Sequence, residues 1–383
     1  EAAHQQLLTN IKTYHGILAD PQKVNHIIAT QLIKLKKRFG DRRRTKIVFG
    51  KIMSIEDEDL VEPKPVIVTM THQNYVKRLD TDEFKSQNRG GRGIQGMDVH
   101  NDDFVEHLIS ANTHDTLLLF TNVGKVYRMK VYQIPEYGRN AKGLPIINFL
   151  RISPKERIQA VINVSEKHRD RDKYLFFTTV HGIVKRTPVS DFMNIRRSGL
   201  KAIHLKSGDE LLNVSIVSDR QNLIIGTHLG YAASFPVNSV RSMGRGAAGV
   251  KGLNLRPGDY AVGADVLNDT SDVLVISEKG YGKRTPAKEY QIKNRGGKGV
   301  KTIRIGKRNG KLTGLATLNQ QDDLMLMTNQ GVTIRFHANE VSKTSRVTFG
   351  VRLIRVGHKS KVTAMTKIPR AQTDHAKKSV KNQ

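Results

Sequence analysis

The sequence contains no cysteine and no tryptophan among its 383 residues, and only 6% of the residues are aromatic. Without cysteine the chain can form neither disulfides nor thiolate metal sites, which suits a reducing cytoplasm. No apolar run approaches the roughly 18 residues that a membrane-spanning helix requires. The hydrophobic content of 38% still allows a core. We expect that core to be distributed over many thin units.

Acidic residues are also scarce, because 35 of them are set against 64 lysines and arginines and leave a net charge of +29. An excess of this size favours nucleic acid as the partner, with an anionic membrane as the weaker option. The sequence shows no P-loop, no dinucleotide-binding fingerprint and no Ser-His-Asp arrangement. These features predict a nucleic-acid-binding protein that is not itself an enzyme.

Residues 1–40 have the pattern of a helical hairpin. Apolar residues at helical spacing run from Leu7 to Leu18 and again from Val24 to Leu35. Between them, Asp20 is predicted to cap the second helix and Pro21 to occupy its first position. The first helix begins at the start of the sequence without a cap, so we expect the chain to be a piece of a longer protein.

A pattern of about 50 residues recurs six times between residues 64 and 368. Each repeat has a short apolar strand, a turn, a second strand with basic residues, a loop rich in glycine or arginine, and a further alternating strand. The turns are spaced by 50, 58, 48, 50 and 51 residues, at Asn74, Gly124, Gly182, Gly230, Gly280 and Gly331. Such a period is typical of propeller-like arrays, in which the units must stack to bury their faces. We therefore predict a mainly β fold, a six-bladed propeller-like array of four-stranded antiparallel blades, after the helical hairpin.

The remaining segments flank this array. Residues 41–63 are predicted to be a linker, in which a basic run is followed by an acidic one. Residues 369–383 form a basic tail with few apolar residues, which we expect to be disordered.

Basic residues recur at fixed distances from the turns. Fifteen residues after the turn, all six repeats have arginine: Arg89, Arg139, Arg197, Arg245, Arg295 and Arg346. Four residues after the turn, five repeats have arginine and the fourth has Ser234: Arg78, Arg128, Arg186, Arg284 and Arg335. Three of these follow a lysine: Lys77, Lys185 and Lys283. A basic side chain in every blade predicts a belt of positive charge, and double-stranded DNA is the expected ligand.

The first repeat contains the loop QNRGGRG. Its glycines leave backbone N–H groups open to a phosphate, and its arginines add fork-shaped donors. We assign six of its residues to DNA binding: Gln87, Arg89, Gly90, Gly91, Arg92 and Gly93. Weaker versions of the loop in later repeats add three lysines to the predicted contacts: Lys142, Lys201 and Lys298.

A structural alternative is that the repeated arginines bridge one blade to the next. Nine residues after the turn, four repeats have an acid that could pair with an arginine of the same blade: Glu83, Asp191, Glu289 and Glu340. Four acids cannot neutralise eleven registered arginines and three lysines. We therefore prefer DNA binding for the set as a whole.

The loop QNRGGRG resembles the signature heptapeptide of the DNA gyrase A family, from which it departs at Asn88, where a basic residue is common. Residues 64–368 resemble the six-bladed β-pinwheel of that family, and residues 1–40 resemble the end of its helical arm. The intact loop favours gyrase over the topoisomerase IV A-type subunit, in which the first loop is usually degraded. A propeller scaffold for acidic proteins is a further alternative, against which the charge in every blade argues.

The resemblance implies that DNA wraps around the pinwheel with positive handedness, so that strand passage introduces negative supercoils. It implies a non-catalytic chain, because the family's cleavage tyrosine belongs to a core outside this sequence. The implied partners are DNA and, in an A2B2 assembly, a second copy of the gyrase A protein with the gyrase B-type ATPase, and no membrane is implied. ATP and Mg²⁺ would act through the B-type partner, with no cofactor or metal in this chain. The expected location is the bacterial cytoplasm, associated with the nucleoid.

Overall fold

The computed structural model describes residues 1–41, 60–80, 105–138, 141–154, 156–164, 173–196, 198–319, 321–329, 333–357 and 360–368. The chain divides into two units, Glu1–Ile55 and Glu56–Gln383. Several predicted features lie outside the described residues: the whole loop Gln87 to Gly93, Glu83, Arg139, Arg197, Gly331, most of the linker and the basic tail.

The first unit contains the two predicted helices, α1 (Ala2–Leu18) and α2 (Pro21–Phe39). The Asp20 side chain accepts a hydrogen bond from the backbone N–H of Gln22 at 2.9 Å, so the predicted cap is present. The two helices contact each other. Within the described residues of this unit neither helix buries a side chain, and the apolar stripe remains exposed.

The second unit consists of β-strands, all paired antiparallel. The first two repeats supply β1 (Pro65–Thr71), β2 (Tyr75–Asp80), β3 (Val105–Asn112), β4 (Thr116–Thr121), β5 (Lys125–Lys130), β6 (Leu144–Pro145) and β7 (Ile158–Val164). The next two supply β8 (Tyr174–Thr179), β9 (Ile183–Pro188), β10 (Leu200–Lys201), β11 (Leu211–Val217), β12 (Asn222–Thr227), β13 (Tyr231–Pro236), β14 (Val250–Lys251) and β15 (Ala261–Leu267). The last two supply β16 (Asp272–Ser277), β17 (Tyr281–Pro286), β18 (Val300–Lys301), β19 (Leu312–Leu318), β20 (Asp323–Thr328), β21 (Thr333–His337), β22 (Val351–Arg352) and β23 (Val362–Ile368).

In the first five repeats the predicted turns join the first two long strands. Gly280 has a φ of 75°, and a Cβ there would lie 2.5 Å from the carbonyl oxygen of Ile354, so both conformation and space require glycine. Asn74 adopts the same left-handed conformation, with a φ of 64°, which asparagine tolerates better than most residues. Three residues before the turn, the hydroxyl of Thr71 accepts a hydrogen bond from the backbone N–H of Tyr75. Equivalent threonines do the same in later repeats: Thr121, Thr179 and Thr227.

The fourth strand of a sheet comes from the following repeat. The first sheet has the order β3-β1-β2-β6, and β6 belongs to the second repeat. In the same way β10, β14, β18 and β22 complete sheets two to five, whereas the sixth sheet has three strands in the described residues. The predicted four-stranded antiparallel sheets are confirmed. Repeats and sheets nevertheless do not coincide, because each of the second to sixth repeats supplies its short strand to the preceding sheet.

The six sheets close into a ring. The strands β3, β7, β11, β15, β19 and β23 contact one another in this order, and β23 contacts β3. They line a central cavity of about 370 Å³. Among the described residues, five apolar clusters fill the spaces between consecutive sheets, from the first to the sixth. Each two-residue strand lies at the opposite edge of its sheet from the cavity, and we call it the outer strand.

Candidate nucleic-acid interface

The described parts of the glycine- and arginine-rich loops in the second to sixth repeats lie at the perimeter of the ring, because each runs directly into an outer strand. The loop of residues 294–299 precedes β18, and that of residues 346–350 precedes β22. The glycine that ends the loop has a positive φ in five repeats: Gly143, Gly199, Gly249, Gly299 and Gly350. A Cβ at Gly299 would lie 2.6 Å from the carbonyl oxygen of Ala232. This glycine therefore lets the outer strand approach the preceding sheet.

The described loop arginines, fifteen residues after the turn, bind the preceding repeat and remain accessible. Arg295 is exposed, and Arg245 and Arg346 are half-buried. Their guanidinium groups donate to backbone carbonyls at 3.0 to 3.4 Å: Arg245 to Asp191, Arg295 to Ser239 and Lys251, and Arg346 to Lys301. A guanidinium carries five N–H donors, so these bonds fix its position and leave donors for a phosphate.

The outer strands carry a second row of basic residues, of which the sequence analysis identified only Lys201. The equivalent residues Lys251, Lys301 and Arg352 are also exposed. Among the other predicted lysines, Lys298 is exposed and Lys142 is half-buried. We use the name basic rim for the accessible basic residues of the loops and outer strands: Lys142, Lys201, Arg245, Lys251, Arg295, Lys298, Lys301, Arg346 and Arg352.

Three of the arginines located four residues after the turn are buried or nearly so, which contradicts their predicted contact with DNA. Arg284 is only 8% exposed, and it donates to the carbonyl oxygens of Val341 at 2.9 Å and Asn339 at 3.3 Å. Its guanidinium also pairs with Asp272. Arg186 pairs with Asp219, and Arg78 donates to the Tyr132 carbonyl and to Glu136. Arg284 and Arg78 thus reach the next repeat and bridge adjacent sheets, as in the structural alternative, whereas Asp219 lies between the inner strand of Arg186's own repeat and the next repeat.

The two other arginines at this position are more accessible but make related contacts. Arg128 is exposed, and its Nη1 donates to the Met193 carbonyl oxygen at 2.9 Å. The side chain of Arg335 is 36% exposed and pairs with Asp323 at 2.6 Å. Ser234, the exception in the sequence pattern, donates to the carbonyl oxygen of Gln291 at 2.9 Å.

The three lysines that precede these arginines are fully buried. Lys77, Lys185 and Lys283 have 0% exposure, and their ammonium groups donate to backbone carbonyls. Burial lowers the pKa of Lys185 and of Lys283 to about 8. The prediction that these three lysines contact DNA is therefore wrong. A strand pattern places them on one face of a sheet but does not reveal that the next repeat covers that face.

The acids nine residues after the turn form no ion pair with an arginine of the same repeat among the described contacts. The Glu289 carboxylate accepts a hydrogen bond from the backbone N–H of Arg346, in the next repeat, at 3.1 Å. Glu340 accepts one from the backbone N–H of His337 at 3.4 Å. The acids thus leave the guanidinium groups of the rim free of a local carboxylate at these positions.

Membrane-spanning helices and metal clusters are both absent from the described part of the chain. In it no helix is long and apolar enough to cross a membrane. No group of three or more histidines, aspartates and glutamates in that part is arranged to hold a metal ion.

The sequence matches the family model described as "DNA gyrase C-terminal domain, beta-propeller" in six consecutive segments: residues 65–112, 115–165, 173–218, 221–268, 271–319 and 322–369. The chain belongs to this gyrase family. Each segment begins at or beside the first long strand of a repeat and ends at or just beyond its inner strand. The family match therefore divides the chain as the repeats do.

Relatives of the gyrase family resemble almost the whole chain. The DNA gyrase A protein of Streptococcus pneumoniae is 54% identical over 374 residues, covering 98% of this chain and 45% of the relative. The Streptococcus pyogenes protein is 55% identical over 366 residues, and that of Halalkalibacterium halodurans is 52% identical over 368. The chain thus spans a little under half the length of these relatives.

Two solved structures resemble the gyrase-family fold of this chain equally well. The C-terminal domain of DNA topoisomerase IV has a TM-score of 0.68 at 26% identity and covers 84% of this chain and 100% of that domain. The DNA gyrase A C-terminal domain has a TM-score of 0.68 at 27% identity and covers 80% and 100%. The fold does not separate the two enzymes, whereas the close sequence relatives are gyrase A proteins.

Proposed function

We propose that the chain binds double-stranded DNA along the basic rim and wraps it around the ring, as the DNA-wrapping part of a gyrase. The observation that carries this proposal is the position of the rim residues, which lie on the outer strand of each of sheets one to five or in the loop before it. A duplex that follows the perimeter meets at least one accessible basic side chain at each of these sheets.

The free energy needed to bend DNA requires contacts along the whole rim. Bending about 40 base pairs through half a turn costs on the order of 10 kcal/mol of elastic free energy. One arginine–phosphate contact contributes roughly 1 kcal/mol, and less as salt rises. Several sheets must therefore bind the same duplex at once. Because the rim side chains are suited to phosphates, we propose that binding tolerates most base sequences.

The proposal extends to the assembly through the gyrase A relatives. The chain would be a non-catalytic part of an ATP-dependent type II topoisomerase, joined by a second gyrase A protein and by a B-type ATPase. ATP and Mg²⁺ would act through that ATPase. The first loop, Gln87 to Gly93, and the tail remain predicted DNA contacts, as do Arg139, Arg197 and the exposed Arg128.

A linking-number measurement tests the proposal. The chain is mixed with relaxed circular DNA, a type I topoisomerase relaxes the complex, and the linking number is read after deproteinisation. We expect a shift toward positive supercoils that grows with the amount of protein. Binding without a shift would overturn wrapping and indicate a topoisomerase IV-like module that only binds DNA.

A matched pair of double variants locates the path of the DNA. Lys251→Ala with Lys301→Ala removes two rim charges, and Lys23→Ala with Lys34→Ala removes two exposed charges from α2. We expect the first pair to reduce the linking-number shift and the second to leave it unchanged. Equal effects would mean that net charge, and not the rim, determines wrapping.

A further inference from the structure

We propose that Lys77, Lys185 and Lys283 are positioning residues of the basic rim, each of which fixes the DNA-contacting loop of the following repeat from beneath. This inference rests on the proposed function, since it concerns how the same rim is held in place. It assigns a function to the three lysines that were wrongly predicted to contact DNA.

The three lysines share one arrangement. Each lies on the second strand of an odd-numbered sheet, and its Nζ donates to at least one carbonyl oxygen in the next repeat's loop. The contacts are Lys77 to Gly138 at 3.3 Å and Ala141 at 2.8 Å, Lys185 to Ala202 at 2.6 Å and Arg245 at 2.6 Å, and Lys283 to Ser345 and Arg346. Of these acceptors only Ala202 belongs to the lysine's own repeat.

These bonds orient the loop backbone. All described peptide bonds are trans, and in a trans peptide the C=O and the N–H point in opposite directions. When the lysine binds the carbonyl of Arg245 from below, the N–H of Gly246 points away from the lysine. In the same way, the N–H of Lys142, which follows Ala141, points away from Lys77, and the N–H of Val347, which follows Arg346, points away from Lys283. Each lysine thus turns one backbone donor toward the side from which a phosphate approaches.

The fold itself does not require lysine at this position. The equivalent residues of the even-numbered sheets are Tyr127, Ala233 and Ile334, and those sheets form the same hairpins. A buried ammonium loses its hydration, so an apolar residue would fill the space without that cost. The buried charge also adds a positive potential under a loop that is proposed to bind an anion, in surroundings of low dielectric.

The test replaces Lys185 with methionine in the 383-residue chain, which removes the ammonium and keeps an unbranched side chain. The control is Leu175→Ala in the same sheet, which leaves a cavity at a fully buried position whose side chain cannot form a hydrogen bond. Amide hydrogen exchange is measured for residues 244–249. The loop of residues 294–299, which follows the sheet containing Ala233, provides an internal reference.

We expect Lys185→Met to speed exchange at residues 244–249 about tenfold, as the loss of one charge-assisted hydrogen bond predicts, and to leave residues 294–299 unchanged. We also expect it to reduce the linking-number shift, whereas Leu175→Ala preserves the shift despite lower thermal stability. Lys283→Met repeats the test independently on residues 346–350, should the first variant not fold.

Unchanged exchange at the loop, or an equal loss of wrapping in Leu175→Ala, would overturn the positioning role. The exchange measurement needs no DNA. If the unmodified chain failed to shift the linking number, the proposed wrapping would be wrong while the effect of the lysine on the loop would still be decided.

Discussion

The odd- and even-numbered sheets form the same hairpin, but different residues occupy equivalent positions on its second strand. In sheets one, three and five, a lysine and an arginine follow each other on the second strand, the lysine fully buried and the arginine largely so. In the even sheets the corresponding pairs are Tyr127 and Arg128, Ala233 and Ser234, and Ile334 and Arg335. The buried charge is therefore not needed to form the sheet. What the odd sheets add is a set of hydrogen bonds from buried charged groups to the next repeat.

This difference makes the odd sheets dependent on their partners. A buried cation is tolerated only while hydrogen bonds or an opposite charge replace its hydration. Lys283 and Arg284 take all their described acceptors in the next repeat except Asp272, which is on the neighbouring strand. Displacing the next repeat would expose these charges without partners. The position of each odd sheet is therefore coupled to that of the following one.

The largest expected effect comes from removing a buried arginine. Arg284→Met should lower the free energy of unfolding by about 3 kcal/mol, because two carbonyls and a buried aspartate lose a charged partner. Ser234→Ala, at the same position of an even sheet, should cost only about 1 kcal/mol. Both losses are measured from the urea concentration at the unfolding midpoint, with the slope of the free energy of unfolding against urea held the same. Equal losses would remove the distinction between odd and even sheets.

The next effect is a pH dependence confined to the odd sheets. Burial lowers the pKa of Lys185 and of Lys283 to about 8 from an ordinary 10.5, although Asp191 and Glu289 respectively oppose the shift, and Arg346 adds to it at Lys283. Between these pH values the folded chain binds fewer protons than the unfolded chain, so these lysines make stability rise with pH. Below about pH 8 their full penalty is present.

We therefore expect the double variant Lys185→Met, Lys283→Met to lack a rise that the unmodified chain shows between about pH 8 and 10.5. A difference of one between the folded and the unfolded pKa corresponds to about 1.4 kcal/mol, which sets the scale of the rise. Thermal midpoints of both proteins across this range give the difference, from which groups common to both cancel. A constant difference would mean that the lysines do not titrate in the folded state.

A smaller effect is expected for Tyr127→Phe in sheet two. The single phenolic hydrogen is shared between two acceptors, the carbonyl oxygen of Arg151 at 3.1 Å and the Glu156 carboxylate at 3.2 Å, and Glu156 keeps its pair with Lys125. The loss should be about 1 kcal/mol. Gly199 lies beside the aromatic ring of residue 127, and phenylalanine keeps that ring. We therefore expect the amide hydrogen exchange of the loop around Gly199 to stay unchanged. Faster exchange there would show that an even sheet also positions its loop through a polar group.

The smallest effect is expected for Arg128→Ala. This side chain is exposed and makes one described hydrogen bond, to the Met193 carbonyl. Its removal should change the free energy of unfolding by about 0.5 kcal/mol or less. If Arg128→Ala lowered the free energy of unfolding as much as Arg284→Met, the exposure of an arginine at this position would not predict its contribution to stability.

The parts of the fold that were predictable depend on local signals. The turn residues and the Asp20 cap are encoded within a few residues, and strands such as β4 and β16 are buried along their whole length, as their apolar runs indicate. The sequence could not predict that the outer strand of one repeat pairs with the sheet of the preceding repeat. A two-residue strand shows no periodicity, and β6 pairs with β2, which lies more than 60 residues before it.

The site was predicted less completely because one register was applied to every basic residue. Counted from the turn, Lys201 lies at position 19 but Lys251, Lys301 and Arg352 lie at position 21. Counted from the glycine that ends the loop, all four lie two residues further on. That glycine contacts the preceding sheet, so it is the physical reference point for the outer strand. Counting positions from the turn alone could not distinguish the accessible rim residues from the buried Arg284.

Each of the second to sixth repeats supplies strands to two sheets, and this has a consequence for synthesis on the ribosome. When a repeat has emerged, its own sheet has three strands and an open edge, and it is completed only when the loop of the next repeat arrives. Assembly from the N-terminus therefore lags by one repeat, with one open strand edge at the growing end. In the second repeat, the strand with the open edge is β5, which carries Lys125, Arg128 and Lys130. Charges on an open edge oppose pairing with another nascent chain, so the same basic composition protects the unfinished protein from aggregation.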